Sequence, residues 1–402
     1  MAKNRVIYQS ESVFAGPSPA TGYHLEHRTV ASEPFTGVSA VTHSTFARSK
    51  VKQLQRIQSA NYSFNVSRQD LNQFGELAAI DRVILESPTV SMDINYVLGD
   101  MSNEKRLGFH IVPSGGGTTN LHSALSGILK KETDERNYFI KTLAEGVDAL
   151  GDSPVEAGTA GIANVIGIGN AFMTSYTQDA AVGDFPTASV SVEGLNMTFD
   201  KGVSGQSIPA VTPADGKKIT TEKYALPSGQ SNNITSGITA LRPGDITLSF
   251  QPAGSSSAAT EISALAGLSV TDAKIQSYSL SFDLAREPLQ KLGSKFAFAR
   301  EITFPVTVTM TVDANVGELS TGNLADQIDT DAAYDLYVNM KEPGHAGAGN
   351  FMTYAVKNAK IDSQEYSSDI GSNKSVSLTF SSQIGGSAQT DRGLFMSGRH
   401  DV

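Results

Sequence analysis

The sequence predicts a mainly β protein built from two tandem copies of one antiparallel domain, and three observations carry that prediction. Residues 57–94 recur at 275–312 in register and without a gap. The recurring stretches alternate apolar and polar residues with period two, the signature of strands with one buried face. The composition, with 37 Gly, no Trp and only 7% aromatic residues, suits a loop-rich β fold better than a helical core.

The repeat is specific. Ile57-Gln58-Ser59 returns as Ile275-Gln276-Ser277, Ser63-Phe64 as Ser281-Phe282, and Arg68 as Arg286. Leu71, Gly75, Ala79, Arg82 and Ile84 return as Leu289, Gly293, Ala297, Arg300 and Ile302. Thr89, Val90 and Met92 return as Thr307, Val308 and Met310.

Residues 1–50 have weak periodicity and many Ser, Thr, Gly and Pro, and are expected to form an extended N-terminal arm. The first domain is expected over 51–200. In its first strand Tyr62, Phe64 and Val66 face the core, while Ser63, Asn65 and Ser67 face away. The second copy does the same with Leu280, Phe282 and Leu284 against Ser281, Asp283 and Ala285. A linking segment follows at 68–82 and 286–300, centred on Gly75 and Gly293, and is expected to be a turn with a helical piece.

The next strand sends Val90, Met92 and Ile94 inward and Thr89, Ser91, Asp93 and Asn95 outward; its copy opposes Val308, Met310 and Val312 to Thr307, Thr309, Thr311 and Asp313. A one-residue slip would invert both faces, so the register is well specified. Asn120 and Asn323 are the expected N-caps of one short helix per copy. Apolar strands follow at 138–143 and 336–340. Asn170-Ala171 and Gly183 then match Asn358-Ala359 and Gly371, and Ser189-Val190-Ser191 matches Ser375-Val376-Ser377 after a two-residue gap. Residues 201–243 read as an inserted surface loop or linker. Residues 244–251 read as a strand open to either domain, and the second domain is expected over 244–384. Residues 385–402 read as a polar, extended C-terminal extension.

The 402 residues suffice for two ordinary domains, each with its own core. A net charge of −10 argues against tight binding to nucleic-acid backbones. Without Cys the chain has no disulfide, thiolate ligand or thiol nucleophile. The N-terminus lacks a signal-peptide core, and the longest largely apolar run, 162–173, is broken by Gly and shorter than the ~20 residues of a membrane helix.

No catalytic, cofactor or metal site is expected. Gly167 and Gly169 lack the third glycine and the βαβ setting of a dinucleotide loop. Residues 114–117 are Gly-rich without the Lys-Ser/Thr of a P-loop. His24 and His27 lack the further ligands of a metal site. No Ser-His pair or carboxylate pair sits in a catalytic frame.

The duplicated strand–turn–strand, the segment 185–199 and the arm–β–helix–β order resemble the tail tube (major tail) proteins of long-tailed bacteriophages. The resemblance covers roughly residues 50–384. It implies a β-sandwich or barrel domain with a flanking helix, six of which form each ring of a hollow tube. Two fused domains per chain imply a homotrimeric, pseudo-hexameric ring, as in the family's fused variant. It also implies a virion location, assembly in the host cytoplasm, partners such as tape-measure, tail-terminator and distal tail proteins, and passage of double-stranded DNA without specific binding. Few residues follow the second copy, so no decoration domain of the kind some of the family carry is expected there.

Under that resemblance Asn65, Asp93, Asn95, Asp283 and Asp313 would line the lumen, on strands without Lys or Arg. Arg68, Arg82, Arg286 and Arg300, at both ends of the linking segments, would serve subunit or ring contacts; the alternative is a solvated turn or local ion pair. A receptor- or carbohydrate-binding β module of a fibre or adhesin is the competing class, and the lack of Trp counts against it. Another virion shell component is a third.

Overall fold

The computed structural model describes residues 11–17, 51–113, 122–129, 134–143, 149, 163–201, 240–255, 273–316, 331–341, 351–368, 370, 373–386 and 388–400. It also describes short pieces between 206 and 226 and at 261–262 and 268–269. The protein is mainly β. The N-terminal half comprises β1 (Glu11–Pro17), β2 (Lys52–Gln53), β3 (Ile57–Asn65), β4 (Gln69–Leu71), β5 (Asp81–Val83), β6 (Thr89–Val97), helix α1 (Ser102–Leu107), β7 (Ile111–Val112), β8 (Arg136–Leu143), β9 (Ala163–Ala181), β10 (Thr187–Gly194) and β11 (Asn196–Lys201). Between the halves lie β12 (Gln206–Ser207) and β13 (Lys223–Tyr224). The C-terminal half comprises β14 (Ile246–Pro252), β15 (Glu261–Ile262), β16 (Leu268–Ser269), β17 (Ala273–Asp283), β18 (Arg286–Leu289), β19 (Ala299–Ile302), β20 (Val306–Val316), β21 (Ala333–Met340), β22 (Met352–Ser367), β23 (Ser375–Ile384) and β24 (Gly393–Gly398).

One sheet runs through both halves in the order β14-β21-β22-β23-β20-β17-β9-β10-β6-β3. The sequence offsets recur in its ladders. Phe64 pairs with Val90 and Phe282 with Val308, both partners displaced by 218. A bulge falls between Ile57 and Ser59 and again between Ile275 and Ser277. Farther on the offset is 188: Ser191 opposite Ser175 becomes Thr379 opposite Ser363, each beside a bulge. Ser189-Val190-Ser191 therefore corresponds to Ser377-Leu378-Thr379, and the two-residue gap expected from the sequence is absent. Alternating Ser and Thr disguise a shift of two, because it preserves the face of every side chain. Asn170 and Asn358 both adopt φ 51° at equivalent bulges. Asn tolerates this left-handed geometry better than most residues, and in each case the backbone N–H donates to a side chain, Asn137 Oδ1 or Asp335 Oδ1.

The linking segments contain no helix. They are hairpins, β4 with β5 and β18 with β19, and Gly75 and Gly293 turn them at φ 92° and 83°. An α-helix, α1, stands earlier in the first half and ends on Gly108 at φ 109°, and a 3-10 turn at Ala124–Ser126 follows shortly after the expected helix start. Asn120 and Asn323 lie outside the described residues, as do His24, His27 and residues 114–117.

Three peripheral segments are more ordered than their composition suggests. Residues 11–17 form β1, which pairs with β8 along its whole length. Ile208, Ala210 and Leu226, from the expected surface loop, pack with Phe14, Val51, Phe139 and Val165 in a small second core. Leu394, Phe395 and Met396 of β24 are buried, and β24 pairs with β22. The main core is continuous across both halves and includes Met92, Ile94, Tyr176, Leu280, Met310 and Phe380.

One expected buried face is only partly covered: Tyr62 packs against the main core and Val66 is half-buried, but Phe64 is not covered. Leu280, Phe282 and Leu284 are buried, but Phe64, the equivalent of Phe282, is 64% exposed against 3%. The sequence pattern is the same; the difference is that β17 lies mid-sheet and β3 ends it.

Candidate functional site

The alternation that buries one face of the long sheet exposes a polar opposite face. In ladder register, Asn95 on β6, Ser189 on β10, Thr177 on β9, Ser281 on β17, Thr309 on β20 and Ser381 on β23 follow one another across six strands. Asp93, Asp283 and Asp313 lie on this face, and Asn65 extends it at the end of β3. Asp93, Asp283 and Asn65 are exposed, and Asn95 and Asp313 half-buried. The face is laced by short bonds: Ser191 Oγ donates to Asp93 (2.6 Å), Ser277 Oγ to Asp313 (2.8 Å) and Asn95 Nδ2 to Ser189 Oγ (2.9 Å). Side-chain bonds between neighbouring strands fix these groups and leave the surface small and hydrophilic. One expectation needs correcting. β17 begins at Ala273, so Lys274 joins the sheet, pairing with Asn315 at its end. Gly167 and Gly169 lie inside β9, where a Cβ on Gly169 would come 2.3 Å from the Pro209 backbone. Close chain approach explains that glycine without a phosphate.

The four arginines divide into two pairs. Arg286 is nearly buried and clamps Asp134 with two bonds of 2.6 and 2.9 Å. Its Nε donates to Met173 O (3.0 Å), and its guanidinium lies over the Phe172 ring. Arg300 reaches Glu193 at 2.7 Å. Both join the β18–β19 hairpin to strands of the N-terminal half. Arg68 and Arg82 are exposed: Arg82 pairs locally with Asp70, and Arg68 lies 3.4 Å from the Arg82 carbonyl. A bidentate, desolvated pair is far stronger than an exposed one. Burial raises the Asp134 pKa even against the opposing effect of Arg286.

Sequence reasoning missed a buried acid. Glu104 sits on α1, which is polar at every position but Leu107. Tyr96 donates to Glu104 Oε1 at 2.8 Å, and the hydroxyls of Tyr176 and Tyr354 lie 3.3 and 3.4 Å from it. Glu104 Oε2 has no hydrogen-bond partner among the described residues. Burial pushes the carboxyl up to about 7, although its own backbone and Tyr96 stabilise the anion. The tyrosines rise well above 10, chiefly through burial. Tyr354 comes from the C-terminal half, and β7 pairs with β24, so the cluster lies where the halves meet. No apolar periodicity marks it; three separated tyrosines converge only in the fold. No group of three or more His, Asp or Glu able to hold a metal occurs among the described residues, and no helix among them is long and apolar enough to cross a membrane.

No family model matches the chain, and no curated protein matches it. Among solved structures it is similar to the tail of an empty GTA particle refined with C6 symmetry, at 16% identity and a TM-score of 0.25, over 36% of this chain and 95% of that one. It is also similar to the SPP1 tail tube, at 12% identity and a TM-score of 0.26, over 40% of this chain and 81% of that one.

Proposed function

We propose that this chain is a structural protein of a phage tail, two fused tube domains whose copies assemble into stacked rings around a DNA channel. The observation that carries the reading is the polar sheet face. Strands from both sequence repeats contribute to it in one register, with Ser, Thr, Asn and Asp throughout and no cation in the row from Asn95 to Ser381. Lys274 and Lys360, opposite Asn315 and Ser381, stand at the margins of the wall; along the row itself the wall repels phosphate weakly and offers it no counter-charge, so a duplex passes without being held. Within each repeated ladder both partners shift by the same offset, 218 or 188, which supports two fused domains, and the sequence resemblance supplies three chains per ring. Tape-measure, terminator and distal tail proteins would be its neighbours in the virion.

Charge reversal tests the wall. Asp283→Lys with Asp313→Lys should leave the chain folded and its rods intact, yet slow or block DNA delivery by a phage carrying it. Unchanged delivery would remove these residues from the lumen.

A further inference from the structure

The two halves meet along the β9–β17 ladder, from Ala181 opposite Ser277 to Ser175 opposite Asp283. They meet again at a seam built on residues 98–112, which hold α1 and β7. Toward the C-terminal half, Met101 N–H donates to Arg399 O (3.0 Å), and Ile111 and Val112 pair with Met396 and Ser397 of β24. The Phe109 ring lies 6.0 Å from that of Phe282. Toward the N-terminal half, Asn103 bonds both the N–H and the carbonyl of Gln55, and Arg106 Nη1 donates to Gln53 O. Phe109 meets Tyr176 edge-on at 5.2 Å.

Glu104 stands inside this seam, completely buried. Hydroxyls reach its Oε1 from three strands: Tyr96 of β6 at 2.8 Å, Tyr176 of β9 at 3.3 Å and Tyr354 of β22 at 3.4 Å. The last two lie 3.1 Å from each other, and Tyr278 of β17 adds to the field at Tyr354. The neighbouring cation, Arg56, is engaged with Asp100 at 2.7 Å, and the same Asp100 oxygen accepts the Ser102 N–H. Asp100 opposes a negative charge on Glu104, and Arg56 favours one. Glu104 Oε2 has no hydrogen-bond partner among the described residues. A buried carboxylate with one oxygen unpaired is costly, and a neutral carboxyl avoids most of that cost.

We propose that α1 is a latch held shut by the proton on Glu104: loss of that proton opens residues 98–112 locally, while the β9–β17 ladder stays paired. The unit that opens is small. α1 has six residues and β7 two, whereas the β9–β17 ladder has seven pairs and is clamped by Arg286 on Asp134. β24 keeps its own six-residue ladder with β22, so release of β7 leaves it in place. Small units with few bonds open at lower cost than the whole fold. Opening brings Glu104 to water, where its anion is no longer penalised, so ionisation favours the open form. Burial holds the carboxyl up at about 7 in the closed form, against 4.5 for an exposed one. The preference for the closed form is therefore full below about pH 4.5 and is lost as pH rises through about 7. Acid tightens the seam and weak base loosens it. The latch goes beyond the tube reading and stands without it.

Hydrogen–deuterium exchange of the full chain, read by mass spectrometry at pH 6 and 8 and corrected for the intrinsic rate, tests it. Opening of 98–112 should rise about tenfold between those pH values, as the two carboxyl values require. In Glu104→Gln the rise should vanish. Low urea should leave exchange in 98–112 nearly unchanged, because a local opening exposes little surface, and should speed exchange in 277–283. A flat profile in the native chain, a tenfold rise that persists in the glutamine variant, or equal urea sensitivity in the two segments overturns the latch. Should the glutamine variant not fold, Tyr96→Phe replaces it. That change removes the hydroxyl that steadies the anion, so it should enlarge the rise; a profile equal to the native one overturns the latch.

Discussion

Glu104 is the residue whose environment makes the sharpest solution prediction. Its carboxyl titrates near 7 in the folded protein and near 4.5 when unfolded, because burial disfavours the anion. Between those values the folded chain binds a proton that the unfolded chain has released. Its contribution to stability is therefore fully present below about pH 4.5 and is lost as pH rises to about 7. A shift of that size corresponds to about 3 kcal/mol. Glu104→Gln keeps the hydrogen bonds and removes the titration. Denaturant unfolding of both proteins from pH 4.5 to 8 should show the difference between them growing by that amount in favour of the variant; parallel profiles contradict the assignment. The arginines offer a second contrast. Arg286→Ala strands a desolvated Asp134 and should cost about 3–5 kcal/mol, whereas Arg82→Ala should cost under about 1 kcal/mol. Equal costs in urea titrations would contradict the two environments described. The repeat marks Arg68 as equivalent to Arg286 and Arg82 to Arg300, and only the neighbours tell the members of each pair apart.

The strands were legible because a period of two and an exact repeat reinforce each other. Val90, Met92 and Ile94 are buried as their alternation requires, and so are Val308, Met310 and Val312. Elements held by long-range contacts were not legible. The apolar stretch in β24 is too short to stand apart from a polar tail, and β1 is separated from β8 by over a hundred residues. α1 carries a polar sequence that only the surrounding tyrosines explain. β3 and β17 are the most instructive pair: alternation predicts a buried Phe in both, and only the one with a strand on each side has it. Phe282→Ala should cost about 3–5 kcal/mol in the isolated chain. Phe64→Ala should change the stability of the isolated chain by under about 0.5 kcal/mol. Its effect should appear in assembly instead, as a higher concentration threshold for rods in light scattering. A large loss of monomer stability from Phe64→Ala would mean that its face is already covered.

At the scale of the molecule, a continuous core and a sheet shared by both halves make the repeats one folding unit rather than two beads on a linker. The junction of β17 on β9 is built inside the chain, so the two repeats are joined before any molecules meet. The shared sheet presents one polar face, rich in Ser, Thr, Asn and Asp along its middle and bearing Lys274 and Lys360 at its margins. The central claim is that the chain closes on copies of itself into a hollow tube. Negative-stain electron microscopy of the concentrated native protein, paired with native mass measurement of the smallest ring, tests it most directly. Hollow rods are expected, with six lobes in end view and three chains per ring. Persistent monomers at high concentration, or assemblies without a central channel, would contradict it.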